Sequence, residues 1–330
     1  MLTARGRVLA AGLDATAAVI ACGLFTLRAA WSGQLGDQGL APFARMIDGT
    51  AARPFVHRLL LPSLARGLYV LLPGSLREAL DRGFPGAQVG LALLLAFACF
   101  LAFALVLRRL LDVCYAAPEG ARRWGPAAGL LALPALFLPS SVHLYDPATL
   151  LLTALALLLI RERRRLAYYA VFMLACLNRE TAILLTALFL LWERRQLAPA
   201  RLAWHGLIQV MLWAGVLVAI RALQAGNPGH AAQLLFPRNL RLLLEARAAI
   251  AFWGVLAVAL ALVIPGWRRA PRFLRQAALV TLIPVALATL FTGLPTEMRD
   301  YLEAYPALFL IALPTAVAWL TRGRLLPREA

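Results

Sequence analysis

Long apolar segments separated by short charged stretches run along the whole chain. A membrane-spanning helix needs roughly 20 mostly apolar residues, whereas a soluble protein dilutes its apolar residues with polar surface. The pattern predicts helical spans at residues 8–31, 87–107, 125–138, 147–160, 166–177, 181–192, 202–223, 248–264, 277–292 and 306–320. We therefore predict an all-α fold, a polytopic transmembrane helical bundle of about ten spans, forming a single integral-membrane domain over residues 1–330.

Composition supports the membrane class. Of the 330 residues, 62% are hydrophobic and 15% are charged, and the mean hydropathy is +0.76. The net charge of +17 comes entirely from arginine, since the chain has no lysine. These arginines are spread among apolar helices without any nucleic-acid-binding motif, so we predict no nucleic-acid partner. The four cysteines have no CxxC spacing and predict neither a disulfide framework nor a metal site.

Arginine placement predicts the orientation of the chain. Cytoplasmic loops of membrane proteins carry the excess of basic residues. With a cytoplasmic N-terminus, 20 of the 33 arginines fall inside and 11 outside, and two lie near span ends. The clusters "RERRR" at 161–165 and "RRAPRFLR" at 268–275 are then cytoplasmic. We predict that both termini are cytoplasmic.

The first exterior loop, residues 32–86, contains the apolar stretch "VHRLLLPSLARGLYVLLPG" at 56–74. Counting this stretch as a span would invert every later loop and move arginine clusters outside. Its proline and arginines also suit a helix that lies on the membrane surface. We predict that it lies on or dips into the membrane.

Charged residues interrupt one apolar run, at "CLNRETAILL". The flanking segments, 166–177 and 181–192, have about 12 residues each, or roughly 18 Å of helix against a hydrocarbon core of roughly 30 Å. A hairpin keeps "RERRR" and the following "ERR" on the same cytoplasmic side. We therefore place Asn178, Arg179 and Glu180 at the apex of a short helical hairpin that opens into an exterior cavity.

The unusual polar residues collect on the exterior side of this topology. Ionisable groups at membrane depth are costly and indicate function by default. Candidate residues occur in the first loop, in "SSVHLYDP", at the hairpin apex and in "TEMRDYLEAYP". They are Asp37, Asp48, His57, Arg58, Asp146, Asn178, Arg179, Glu180, Glu297 and Arg299.

Simpler structural roles compete with function at several of these positions. Asp146 before Pro147 fits a helix N-cap. Arg299 and Glu303, four residues apart, fit an ion pair on one helix face. Asp48 before a glycine fits a helix end. At the apex, Asn178 fits a helix cap, with Arg179 and Glu180 paired to each other.

The layout resembles the GT-C superfamily of integral-membrane glycosyltransferases. Members begin with one span, and a long exterior loop follows that has an early acidic residue and a membrane-lying segment. Residues 34–74 look like that loop. Asp146 in "LYDPATLLLTALALLLIRERRR" looks like the family's aspartate in the next exterior turn, and "LAYYAVFMLACLNRETAILL" looks like its short hairpin. The chain also resembles bacterial multi-pass proteins with an "NRE[TS]" motif. The likeness covers most of the first 195 residues and rests on short motifs.

This resemblance implies transfer of a sugar from a polyprenyl-phosphate donor to an envelope glycan, lipid or protein acceptor, at the exterior face of the bacterial inner membrane. It implies a carboxylate base, Asp37 or alternatively Asp48, and arginines that bind the lipid phosphate, namely Arg58, Arg179 and Arg299. Asn178 and Glu180 would hold Arg179 in place or bind sugar hydroxyls, and Glu297 would do either. His57 and Asp146 join the predicted substrate-binding set.

No cofactor is predicted, because the first loop lacks the family's paired acidic motif that would support a divalent metal. Two other functions remain open from the sequence. A transporter or flippase for lipid-linked saccharides would use the same arginines. A polymerase of lipid-linked repeat units would need two arginines and no carboxylate base. Membrane lipid is a partner in each case.

Overall fold

The fold is all-helical in the computed structural model of the chain. The structure describes residues 4–36, 41–137, 141–229, 234–321 and 325–328. Each predicted apolar segment contains helix in the described part of the chain. The apolar periodicity of the sequence therefore located the helices well.

Fifteen α-helices lie in the described ranges: α1 (Ala4–Trp31), α2 (Phe43–Asp48), α3 (Leu60–Leu71), α4 (Gly74–Gly83), α5 (Ala87–Cys114), α6 (Glu119–Ala132), α7 (Pro134–Phe137), α8 (Asp146–Arg161), α9 (Arg165–Asn178), α10 (Ile183–Glu193), α11 (Pro199–Leu223), α12 (Phe236–Leu244), α13 (Ala246–Trp267), α14 (Arg272–Phe291) and α15 (Tyr305–Thr321). Three 3-10 helices cover Phe55–His57, Glu180–Ala182 and Met298–Tyr301. Two short strands, β1 (Tyr115–Ala116) and β2 (Leu326–Pro327), pair antiparallel.

Five of these helices are long and apolar enough to cross a membrane, as far as the described residues go: α1, α5, α11, α13 and α14. The protein is therefore membrane-embedded in character, and the predicted count of about ten spans is not confirmed. The helices α8, α9, α10 and α15 have 16, 14, 11 and 17 residues. They fall short of the roughly 20 residues that cross a hydrocarbon core without tilt.

The stretch at 56–74 forms a short helix instead of a span. Its helix α3 has 12 residues, too few for the roughly 30 Å hydrocarbon core. One face, with Leu61 and Ala65, is buried, while Leu64 and Leu71 are exposed on the other. An amphipathic helix with an uncovered apolar face fits the predicted position at a membrane surface.

Aromatic and small residues hold the bundle together. Phe25 of α1 lies between Phe43, Phe100 and Phe137, with ring centroids 5.7 to 6.1 Å apart. These contacts tie α2 and α7 to α1 and α5. At Gly266, in α13, an added Cβ would overlap the backbone of Ile311 in α15. Close approach through small residues is typical of helix packing in membranes.

Most of the predicted cytoplasmic loops lie at one end of the bundle. Arg165 at the start of α9 donates to Glu193 at the end of α10, Nε to Oε2 at 3.0 Å. Arg161 at the end of α8 donates to the carbonyl oxygen of Arg328, which follows β2. We call this the arginine-rich end. The loops that carry the candidate site residues lie at the other end, where α9 passes into α10.

Candidate functional site

Three arginines from distant parts of the chain meet at the buried side chain of Tyr145. Arg58 donates to the tyrosine hydroxyl from Nη1 at 2.9 Å, and Arg299 does so at 3.1 Å. The guanidinium carbons of Arg58 and Arg179 lie 4.4 and 5.9 Å from the centre of the tyrosine ring. The electron-rich face of the ring attracts both cations. Tyr145 is therefore the centre of the site, and it immediately precedes α8.

The first exterior loop delivers Arg58 to this point. The backbone N–H of Leu59 donates to the carbonyl oxygen of Leu177, near the end of α9, at 2.9 Å. Just before Arg58, the ring of Phe55 packs on His143, with centroids 4.8 Å apart. These two contacts fix the loop against the hairpin apex and against the segment before α8.

The apex of the hairpin lies where the sequence predicted it. Helix α9 ends at Asn178, the backbone of Arg179 is extended, and a 3-10 helix leads into α10. The Asn178 amide Nδ2 donates to Thr149 Oγ1 at 2.8 Å and to the carbonyl oxygen of Tyr145 at 3.3 Å. Asn178 thus joins α9 to α8 and is not a simple helix cap.

Arg179 is held by two carboxylates from the segment before α15. Its Nη2 lies 2.8 Å from Asp300 Oδ1, and its Nη1 lies 3.3 Å from Glu303 Oε1. Glu303 also accepts a hydrogen bond from the Thr181 hydroxyl. Both nitrogens at the tip of the guanidinium are therefore occupied within the protein.

Arg299 lies in the most acidic surroundings. Its Nη2 is 2.5 Å from Glu297 Oε2, and its Nη1 is 3.7 Å from Asp300 and 3.9 Å from Asp146. The Met298–Tyr301 3-10 helix orients these residues, because its tight turn points Arg299 and Asp300 inward together. Both side chains are buried.

The expected pairings between sequence neighbours differ from those observed. Glu180 forms its described ion pair with Arg58 and not with Arg179 beside it. Glu180 Oε1 lies 3.1 Å from Arg58 Nη2. The carboxylate of Glu303 goes to Arg179 and not to Arg299, four residues before it. Chain neighbours point apart here, because the backbone is extended at Arg179 and forms a 3-10 turn at Met298–Tyr301.

Glu180 is the most accessible carboxylate that bonds one of the three arginines, with 41% of its side chain exposed. It lies between the two predicted spans of the hairpin. Burial would raise the pKa of Glu180, but the charges of Arg58 and Arg179 outweigh burial and lower this pKa to about 2. Glu180 is therefore an ionised carboxylate that borders solvent and neutralises Arg58.

Asp146 is fully buried at the first residue of α8, just before the predicted span. Burial raises its pKa to about 6, although Arg299 and a hydrogen bond from the His143 N–H favour the charged form. That bond, to Oδ2, is 2.8 Å long, and Oδ1 accepts no hydrogen bond among the described contacts. The expected N-cap role is wrong, because Tyr145 occupies the cap position and the carboxylate turns back to His143.

The charges at the site do not leave a free positive patch. Three arginines face five carboxylates from three parts of the chain: Asp146, Glu180, Glu297, Asp300 and Glu303. An anionic ligand must therefore displace a carboxylate from an arginine. The half-exposed Glu180 on Arg58 is the pair at which such an exchange costs least desolvation.

A small cavity lies beside Asn178, between α8, α9, α10 and α14. Thr149, Thr153 and Thr281 line it together with Glu303. The space open to the centre of a water-sized sphere is about 20 Å³, enough for about one water molecule. The cavity gives the buried Asn178 Oδ1, which has no described protein partner, room for a hydrogen bond to water.

The other predicted residues lie in different surroundings. His57 is half-buried in the Phe55–His57 3-10 helix, and its pKa is lowered by burial, against the opposing effect of Glu180. Asp48 is exposed at the end of α2, and Gly49 follows it in the left-handed conformation, as the helix-end interpretation predicted. No described ion pair joins Asp48 to the three arginines. Asp37 lies outside the described residues.

Sequence reasoning missed Tyr145, Asp300 and Glu303 as members of the site. The two acids were visible in "TEMRDYLEAYP", but only their burial distinguishes them from surface charges. Tyr145 has no sequence signal beyond its position beside Asp146. Within the described residues, no group of three or more histidine, cysteine or acidic side chains is placed to hold a metal ion.

No family model, curated protein or solved structure matches this chain. The side chains around Tyr145 are therefore the observations that bear on function. Their arrangement offers fixed cations, one exchangeable ion pair and a buried carboxyl group with a raised pKa.

Proposed function

We propose that this protein is a membrane glycosyltransferase that moves a sugar from a polyprenyl-phosphate donor to an envelope acceptor. The observation that carries the proposal is the meeting of Arg58, Arg179 and Arg299 at Tyr145, at the end of the bundle away from the arginine-rich loops. Guanidinium groups match phosphate oxygens in geometry and charge. Their place among apolar helices suits a phosphate that is attached to a lipid chain.

The reaction requires a base and a bound leaving group. The acceptor hydroxyl attacks the anomeric carbon of the sugar, the bond from that carbon to the phosphate oxygen breaks, and polyprenyl phosphate leaves with the bonding electrons. A carboxylate takes the hydroxyl proton, and Arg58 stabilises the charge on the departing phosphate. We propose Asp37 as the base, with Asp48 as the alternative.

Other residues of the site hold these groups in place. Arg179 joins the apex to the segment before α15 through Asp300 and Glu303, and Arg299 joins that segment to Asp146 at the start of α8. Glu180 leaves Arg58 when phosphate binds and becomes free to accept hydrogen bonds from sugar hydroxyls. Glu297, Asn178, His57 and Asp146 complete the proposed substrate-binding set.

A flippase or transporter of lipid-linked saccharides is the second candidate. The internal neutralisation of the arginines favours it, since ion-paired charges also mark solute pathways through membranes. The two functions differ in chemistry. A transferase releases free polyprenyl phosphate from the donor, whereas a flippase returns the lipid-linked sugar unchanged on the other side.

Replacing Asp37 by asparagine should abolish most of the proposed activity. A positioned base contributes about 10²–10⁴-fold to a rate, so release of polyprenyl phosphate should fall by about that factor. The purified protein in nanodiscs is given a panel of polyprenyl-phosphate sugars with envelope glycan fragments. Binding of polyprenyl phosphate by Asp37→Asn should stay at the wild-type level.

Asp48→Asn is the matched control, since it removes the other acid of the same loop. If Asp37→Asn turns over at the wild-type rate and Asp48→Asn loses activity, Asp48 is the base and Asp37 is not. The flippase proposal would be preferred to the transferase if two results occur together: no donor releases polyprenyl phosphate, and the lipid-linked sugar moves across the membrane of proteoliposomes.

We also propose that the arginine-rich end faces the cytoplasm of a bacterial inner membrane, with both termini inside. In a background without the native cysteines, Asp48→Cys should react with a membrane-impermeant thiol reagent in intact cells. Arg194→Cys, an exposed position directly after α10 at the arginine-rich end, should react only after permeabilisation. Labelling of Arg194→Cys in intact cells would overturn this orientation.

A further inference from the structure

A second concentration of arginine occurs at the arginine-rich end, in a cleft of about 370 Å³. We call it the basic cleft and define it by six residues that line it: Arg161, Arg163, Arg195, Arg272, Arg275 and Arg328. The end of α8, the end of α10, the start of α14 and the residue after β2 contribute them. Its volume falls in the range of roughly 300–1,000 Å³ that small-molecule sites occupy.

Within the described residues, no carboxylate balances the charge of the basic cleft. No acidic residue lines it, and no described ion pair involves any of its six arginines. Two acids close to these arginines in the chain have other partners: Glu162 pairs with Arg109 and Arg164, and Glu193 pairs with Arg165. Glu329, which follows Arg328 in the chain, lies outside the described residues. This is the opposite of the site at Tyr145, where every arginine has a carboxylate.

The basic cleft also has a formed wall. Its side chains are not all extended into water: Arg161 lies over the ring of Trp192 at 5.5 Å, and Trp192 packs on Phe273 with centroids 4.8 Å apart. The Nε atoms of Arg161 and Arg275 are buried without a described hydrogen-bond partner. Arg161 and Arg275 are thus half-buried against this wall, whereas the other four arginines of the basic cleft are exposed and free to reach a ligand in it.

We propose that the basic cleft binds a ligand with more than one phosphate charge at the face opposite the Tyr145 site. Six guanidinium groups with no carboxylate partner among the described residues repel one another, and a multivalent phosphate offers oxygens that match their forked donors. Such a ligand is either a soluble diphosphate or the headgroup of an anionic lipid that carries two phosphates, such as cardiolipin. The inference does not depend on the function proposed for the Tyr145 site.

Two arms of one experiment distinguish these sources. The purified protein in lipid-free detergent is titrated with inorganic pyrophosphate, and tryptophan fluorescence is followed in the wild type and in Trp192→Phe. The protein is also placed in nanodiscs of phosphatidylcholine with or without cardiolipin, and native mass spectrometry counts the lipid it retains. Saturable binding in the first arm identifies a soluble ligand, and selective retention of cardiolipin in the second identifies a headgroup.

A matched pair of variants tests the cleft itself. Arg195→Gln with Arg272→Gln removes two lining charges, and Arg194→Gln with Arg201→Gln removes two exposed charges from neighbouring positions that do not line it. We expect the first pair to weaken binding by about tenfold or more, because each charge-assisted contact is strong, and the second pair to change it little. Equal losses in the two pairs, or binding in neither arm, would overturn the proposal.

Discussion

Replacing Arg299 by leucine should lower the free energy of unfolding by about 3–5 kcal/mol, because removing one partner of a buried ion pair leaves uncompensated charge behind. Arg299 is buried, and it faces Glu297, Asp300 and Asp146 within 4 Å. Titration of unfolding in mixed detergent micelles, followed by circular dichroism, measures the change.

The control is Arg123→Leu on α6. Arg123 pairs with Glu119 one helical turn away, and both side chains are more than a third exposed. Such a pair is worth about 0.3–0.5 kcal/mol. If Arg299→Leu costs no more than Arg123→Leu, the acids around Arg299 are either protonated or hydrated, and the description of a buried charge network is wrong.

Replacing Arg58 by lysine should weaken the binding of polyprenyl phosphate by about 10–100-fold, since a hydrogen bond to a charged group is worth about 1.5–3 kcal/mol. Lysine keeps the positive charge but loses the fork that now contacts Tyr145 and Glu180 at once. Native mass spectrometry with polyprenyl phosphate measures the affinity, and a thermal shift reports on folding.

Two further variants are expected to change phosphate affinity differently from Arg58→Lys. Glu180→Gln removes the carboxylate that competes for Arg58, so it should tighten phosphate binding. Arg179→Lys alters an arginine whose nitrogens are occupied by Asp300 and Glu303, so it should lower the melting temperature more than the affinity. Weaker binding in Glu180→Gln would mean that Glu180 helps to hold the ligand, and the exchange at Arg58 would have to be abandoned.

The sequence determined the class of the protein and the position of its helices. Apolar length and periodicity depend on residues close in the chain, and membrane insertion responds to the same local property. The apex at "NRE" followed from two short apolar segments with arginines beyond both, and the structure places it between α9 and α10. The alternation of predicted spans and loops also placed four site residues at the same end of the bundle, namely Arg58, Asp146, Arg179 and Arg299.

The tertiary structure alone decided which charges pair. Arg179 meets Asp300 across 121 residues of chain, and Arg299 meets Tyr145 across 154. Such contacts depend on the rotation and packing of each helix, which a hydrophobic pattern leaves free within the width of its apolar face. Because Arg179 and Glu180 are adjacent in the chain, the sequence predicted an ion pair between them. The extended backbone at Arg179 separates their side chains, so that Glu180 reaches Arg58 and Arg179 reaches the segment before α15.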